Sequence, residues 1–427
     1  MKVPELLHQG FDWIGGGADI EFSPKRKKSE FWSSGHTPTL IAAFLYFDLA
    51  FMVWVLLGPL APEIAADLAL SPAQKGLMVA TPTLAGAMLR LVVGLLADRI
   101  GPKRTGVIGQ LIVIAGLLVA WSLGIHSFGG ILALGMLLGF AGASFAVALP
   151  LASRWYPPEH QGKAMGIAGM GNSGTVLAAL FAPALAQAFG WNAVLGLVCI
   201  PLAIVLIAFI VMAKDAPNQP APQPLAAYLE PLRTADAWWF MLFYCVTFGG
   251  FSGLASSLTI YFSDQFALST VTAGYCTAAC VFAGSLVRPL GGALADRIGG
   301  VSALTAVYVV AALALLGVSA SPSSLPVALT LFVIAMLALG TGNGAVFQLV
   351  PQRFGKEIGI LTGLVGMAGG VGGFYLASSL GFARQVTGGF GPGFLIFALL
   401  ALVALAGLTF VKSRWRVRWA ATAGVRI

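Results

Sequence analysis

A chain of 427 residues that is 58% hydrophobic and only 9% charged, with a mean hydropathy of +0.89, cannot be an ordinary soluble globule. Its net charge of +8 would suit nucleic acid only if the basic residues lined one face of a soluble domain. They fall instead in short segments between long apolar runs, which is the composition of a polytopic membrane protein.

Residues 1–37 are polar, with a glycine triplet at 15–17 and a basic run from Lys25 to Lys28. A secretory signal places a short apolar core and a cleavage site after its positive charges. Here the basic run precedes a full-length apolar stretch, so a retained cytoplasmic tail is expected. Apolar runs of about 20 residues, the length a helix needs to cross hydrocarbon, then follow one another. Six are predicted at 38–60, 74–97, 105–124, 129–152, 164–189 and 192–213, forming an N-terminal bundle over 38–213. A segment rich in Pro and Gln, 214–236, reads as a cytoplasmic linker. Six more spans are predicted at 237–263, 270–293, 303–320, 326–349, 358–383 and 391–412, a C-terminal bundle over 237–412 with a cytoplasmic tail at 413–427. The predicted fold class is all-α, with twelve transmembrane helices in two pseudo-symmetric six-helix bundles.

Orientation follows from the basic residues. With the N-terminus cytoplasmic, 20 of the 24 Lys and Arg residues fall in inside segments. Only Lys75 and Arg384 fall outside, while Arg90 and Arg288 lie within spans, so the positive-inside bias places both termini in the cytoplasm of a cytoplasmic (inner) membrane protein. Cys199, Cys245, Cys276 and Cys280 all lie in predicted spans, where thiols act as small apolar groups, and no disulfide or metal site is indicated. His8, His36, His126 and His160 are scattered over tail and loops, and no catalytic constellation or cofactor site is present to suggest an enzyme.

The two halves repeat. GLLADRIG at Gly94–Gly101 answers GALADRIG at Gly292–Gly299, and Arg90 answers Arg288, every pair 198 residues apart. Less closely, GFAGASF ending at Phe145 answers GTGNGAVF ending at Phe347, and glycines at 166–174 answer those at 363–373. Parallel six-span repeats of this kind build secondary transporters with a midplane site between the halves. Arg90, Gly94 and Asp98 stand at i, i+4 and i+8 on one helix face, so Arg90 is about 12 Å deeper than Asp98. Arg288, Gly292 and Asp296 repeat the pattern.

A guanidinium stays charged, and holding it at membrane depth costs roughly 3 kcal/mol or more unless it meets an anion or water. Two such groups near a pseudo-twofold axis repel each other when empty and attract a small anion placed between them. Their planar donor forks suit planar oxyanions. The competing reading is that each arginine pairs with a carboxylate or reaches the headgroups. The only midspan acid is Asp48, which could serve proton coupling or a structural pair.

The loop GLLADRIGPKR after the second span resembles the signature loop of the major facilitator superfamily. AMGIAGMGNSGT at 164–175 and TGLVGMAGGVGGF at 362–374, with arginines in spans 2 and 8, resemble the nitrate/nitrite porter family over about residues 38–412. The resemblance implies alternating-access transport of nitrate or nitrite, with substrate contacts from Arg90, Arg288, Phe145, Asn172, Tyr244 and Phe248. Spacing alone leaves packing open for Tyr244 and Phe248, and helix-to-helix bonding open for Asn172. Asn343 and Gln348 are weaker candidates of the same kind.

Gly166, Gly169, Gly171 and Gly174, with Gly363, Gly366, Gly369, Gly370, Gly372 and Gly373, are expected to let helices approach closely. Asp98, Arg99, Lys103 and Arg104 with Asp296 and Arg297 form either a cytoplasmic gate latch or a solvated loop. Expected partners are nitrate, nitrite and the lipid bilayer, with no nucleic acid and a monomer as the working unit. Nitrate/nitrite exchange is the expected mode. Proton-coupled symport, a carrier for another small anion, and a non-transporting sensor are the alternatives.

Overall fold

The computed structural model describes residues 30–217, 230–354 and 358–419. The first part of the N-terminal tail with Lys2, His8 and Lys25–Lys28, most of the linker, Lys356, and the end of the C-terminal tail with Arg426 lie outside the described residues, as do the side chains of Arg416 and Arg418.

Among the described residues, twelve helical segments are long and apolar enough to cross a membrane. Spans 1–6 are Thr37–Asp67, Pro72–Ile100, Pro102–Leu123, Phe128–Ser153, Lys163–Phe189 and Trp191–Met212. Spans 7–12 are Ala235–Phe266, Thr270–Ile298, Gly300–Ser319, Leu325–Val350, Ile360–Thr387 and Gly391–Trp415. Several run past the predicted ends, because a helix that has crossed hydrocarbon keeps satisfying its own backbone in the interfacial layer. Span 2 starts with Ser71 and Gln74 in reciprocal capping and Pro72 in its first turn.

The breaks inside spans matter for the site. Span 1 is interrupted after Trp54, where Pro59 can give no N–H to the Val55 carbonyl. Span 4 is interrupted at Ala143–Ser144, and Ala146 donates to Ala143 at 3.0 Å instead of to Gly142. In span 5 a 3-10 turn at Met170–Ser173 divides two α-helical pieces. Span 8 bends at Val287, directly before Arg288 and Pro289.

The halves meet where span 1 packs on span 7, span 2 on span 11, and span 5 on span 8. At the end of the bundle holding the span 1–2 turn they are tightly closed. A Cβ at Gly58 would stand 2.5 Å from the Ser256 carbonyl oxygen, and one at Gly76 2.7 Å from Gly381 Cα. Ala73 donates its backbone N–H to Gln385 Oε1 at 3.1 Å, and Lys75 pairs with Asp264 at 3.1 Å across the seam. Toward the opposite, basic end, a Cβ at Gly166 or Gly363 would meet nothing within 4 Å.

Lys75 and Asp264 are only 15% and 24% exposed, so breaking the pair removes a partly shielded contact from the closed seam. With about 1 kcal/mol at stake, Asp264→Asn should raise the opening of that seam roughly fivefold. Labelling of a Ser257→Cys reporter, in a background lacking native cysteines, by an impermeant thiol reagent added from the Lys75 side measures it. An unchanged labelling rate would show that the pair does not hold the seam.

Candidate functional site

Arg90 is 2% exposed although it lies near the middle of span 2. Its Nε donates to the Gly142 carbonyl at 3.2 Å, the oxygen released by the break in span 4. Its Nη1 donates to the carbonyl of Gly366, in span 11 of the other half. The Gly366 position is close: a Cβ there would stand 3.2 Å from Nη1. Three aromatic rings surround the guanidinium carbon, Phe248 at 5.1 Å, Phe145 at 5.4 Å and Trp54 at 5.6 Å. Nη2 is buried with no partner among the described residues.

Arg288 is held more loosely. It opens the second piece of span 8, where Pro289 leaves the Ser285 carbonyl without its usual donor. Nη2 donates to Tyr244 Oη at 3.3 Å, the guanidinium carbon lies 6.0 Å over the ring of Phe145, and Nη1 is buried without a partner among the described residues. Both guanidinium groups therefore face one ring. Among the described residues, neither has a carboxylate within 4 Å.

The aromatic residues form a continuous wall. Tyr244 and Phe248 stack at 5.1 Å and 6°, and Phe248 stacks on Trp54 at 6.2 Å. Phe347 contacts Tyr244 at 4.9 Å and Phe145 at 6.2 Å, so the repeat-related Phe145 and Phe347 face each other across the halves. Span 11 backs this wall with Gly369, where a Cβ would stand 2.7 Å from Tyr244 Cδ1.

Asn172 lies in the 3-10 turn of span 5, fully buried, with neither amide atom partnered among the described residues. Asn343 in span 10 is in the same state, and Gln348 Oε1 is also unpartnered. An amide in that condition costs about 1–3 kcal/mol per lost bond, which a ligand or water would recover. Asp48 is buried in span 1 and accepts from Ser173 Oγ at 2.7 Å, next to Asn172.

The remaining candidates are more dispersed. Gly171 and Gly174 abut Phe47 and the backbone of Asp48, Gly370 abuts Ala87, Gly372 abuts Cys245, and Gly373 abuts Ser252. Gly166 stands in open space, and Gly169 has only Leu149 at 3.9 Å. Asp98 pairs with Arg154 at 2.9 Å within the first half, and Asp215, at the start of the linker, accepts from the Lys103 backbone N–H at 2.9 Å. Arg99, Asp296 and Arg297 are exposed. An ion pair that joins the halves, Lys75–Asp264, lies at the other end. Sequence reasoning missed that pair, and it missed Trp54; a tryptophan in an apolar run carries no signal of its own.

Residues 42–377 match the family model described as Major Facilitator Superfamily. The chain is 34% identical over 378 residues to a probable nitrate/nitrite transporter, NarK2, of Mycobacterium tuberculosis, covering 87% of this chain and 95% of that protein. The chain belongs to the nitrate/nitrite porter family of the Major Facilitator Superfamily. Other relatives of this facilitator include a nitrite extrusion protein of Bacillus subtilis, 32% identical over 83% of this chain and 89% of that one. A probable nitrate/nitrite antiporter, NarK1, of Thermus thermophilus is 31% identical over 85% and 88%. The facilitator's fold is shared with a bacterial homolog to the human lysosomal transporter Spinster, in inward-facing and occupied conformation. That match has a TM-score of 0.65 at 20% identity, over 88% of this chain and 96% of that one.

Proposed function

We propose that this facilitator carries nitrate and nitrite across the cytoplasmic membrane by exchange, binding the anion between Arg90 and Arg288. The observation that carries the reading is the pair of buried nitrogens, Arg90 Nη2 and Arg288 Nη1, unpartnered among the described residues, on guanidinium groups that face the same ring. A flat monoanion would take a donor from each arginine at its edge, with the faces of Phe145, Tyr244 and Phe248 beside it, and the buried Asn172 amide, unpartnered among the described residues, is a further candidate donor. The names of the relatives, nitrate/nitrite transporter and antiporter, support the same substrate class.

Exchange follows from charge. The empty site keeps two uncompensated cations in low dielectric, which disfavours passage through the closed intermediate, whereas the loaded site carries one positive charge fewer. The moving units are 38–213 and 237–412, with Gly166 and Gly363 at the open end and the termini on the basic, cytoplasmic side. A monomer suffices, since both arginines come from one chain.

The Asp48–Ser173 bond supports a second reading, proton-coupled symport, because it places a buried carboxyl beside the Asn172 turn. Liposome transport separates the two. Exchange predicts nitrate uptake only into vesicles preloaded with nitrate or nitrite and no dependence on a pH gradient. Uptake into anion-free vesicles driven by a pH gradient, and lost in Asp48→Asn, would replace exchange with symport.

A further inference from the structure

Trp54 ends the first helical piece of span 1 and is 1% exposed. Its indole Nε1 donates to the Pro82 carbonyl in span 2 at 2.7 Å. The ring fits a slot left by two glycines. A Cβ at Gly86 would stand 2.9 Å from Nε1, and one at Gly142 would strike the same indole. Gly142 is also the residue whose carbonyl holds Arg90 Nε, so the residue that accommodates the ring also binds the guanidinium.

We infer that Trp54 is a positioning residue for anion binding, fixing the Arg90 guanidinium so that Nη2 alone is left to meet the ligand. This rests on the reading that Arg90 binds the anion. Indole is the strongest of the side-chain rings for a cation on its face, and at 5.6 Å Trp54 covers the guanidinium while Gly142 and Gly366 hold Nε and Nη1. Stacking of Trp54 on Phe248 ties this contact to the wall beside the anion. Without the indole, the guanidinium would gain room to swing within the slot between Gly86 and Gly142, and the orientation of Nη2 would no longer be set before binding.

Trp54 is also the last residue before the break in span 1, and just beyond it Gly58 packs against the Ser256 backbone at the closed seam. Separation of spans 1 and 7 would therefore act on the residue that orients Arg90, joining the opening of that end to the release of the anion.

The test is nitrate exchange and nitrate binding by the purified, reconstituted protein. Trp54→Leu should raise the KM for nitrate about tenfold with the maximal rate within twofold, and Trp54→Phe should restore most of the affinity. Site-specific fluorinated tryptophans at position 54, which withdraw electrons from the ring at nearly constant shape, should raise the nitrate Kd stepwise with fluorine count. A packing role alone would not produce that series, and it remains measurable should Trp54→Leu fold poorly. Wild-type KM in Trp54→Leu, or a Kd indifferent to fluorination, overturns the inference when Arg90→Lys has lost binding. Normal binding by Arg90→Lys would instead overturn the underlying anion-site reading.

Discussion

Arg90→Lys is expected to lower kcat/KM for nitrate by about 100-fold or more while leaving the protein folded and inserted. The guanidinium makes two bonds to backbone carbonyls, Gly142 and Gly366, and keeps a third nitrogen free. A lysine ammonium has one centre from which to donate and cannot span both carbonyls while presenting a further donor in a fixed direction. Charge-assisted bonds contribute about 1.5–3 kcal/mol each, so the loss of two corresponds to at least two decades. Arg288→Lys should cost less, because Arg288 is tied only through Tyr244 among the described residues and is less buried. Initial rates of nitrate exchange in proteoliposomes, normalised to inserted protein, measure both. Equal and small losses in the two variants would mean that the guanidinium geometry is irrelevant.

Gly174→Ala is expected to be the most damaging small substitution in the glycine signatures. The added methyl would collide with the Asp48 carbonyl and approach the Met52 backbone N at 2.9 Å. Both are backbone atoms, so no rotamer change relieves the clash; spans 1 and 5 must separate. Overpacking of this kind costs about 1–3 kcal/mol or more, and separation would also break the Asp48–Ser173 bond. The midpoint of thermal unfolding should fall by about 5 °C or more, and exchange should fall at least tenfold. Gly166→Ala, with nothing among the described residues within 4 Å of the added methyl, should match the wild type in thermal unfolding. Similar behaviour of the two variants would remove the packing basis of the signature.

The sequence carried the fold through a coarse signal. Apolar runs of bilayer length, the positive-inside bias and the 198-residue repeat point to twelve spans, and the described residues hold twelve helices long and apolar enough to cross a membrane. The two arginines were legible because a permanent charge in hydrocarbon is conspicuous in any sequence. Their partners were not. A helix that is apolar all round, as span 1 is around Trp54, has no polar face to show which side looks inward, so Trp54 could not be told from a lipid-facing residue. The Gly366 carbonyl belongs to a residue with no side chain, and its availability depends on how span 11 lies against span 2.

One difference between the halves was written in the chain all the same. Arg90 is followed by Leu91, whereas Arg288 is followed by Pro289, and the proline bends span 8 at the residue where the repeat implied equivalence. The outcome is one arginine locked by two carbonyls and another held by a single tyrosine hydroxyl. The Asp98–Arg154 pair illustrates a second limit: the charge cluster was visible in the sequence, but whether its pairs join the halves or stay within one depends on tertiary packing.

A density map of the protein determined with nitrate bound would show whether Arg90 and Arg288 share the anion. An anion shared by the two arginines would give a planar density beside Phe145, within hydrogen-bond distance of both Arg90 Nη2 and Arg288 Nη1. Nitrate located away from both guanidinium groups, or either arginine found bonded to a carboxylate in the loaded state, would contradict it.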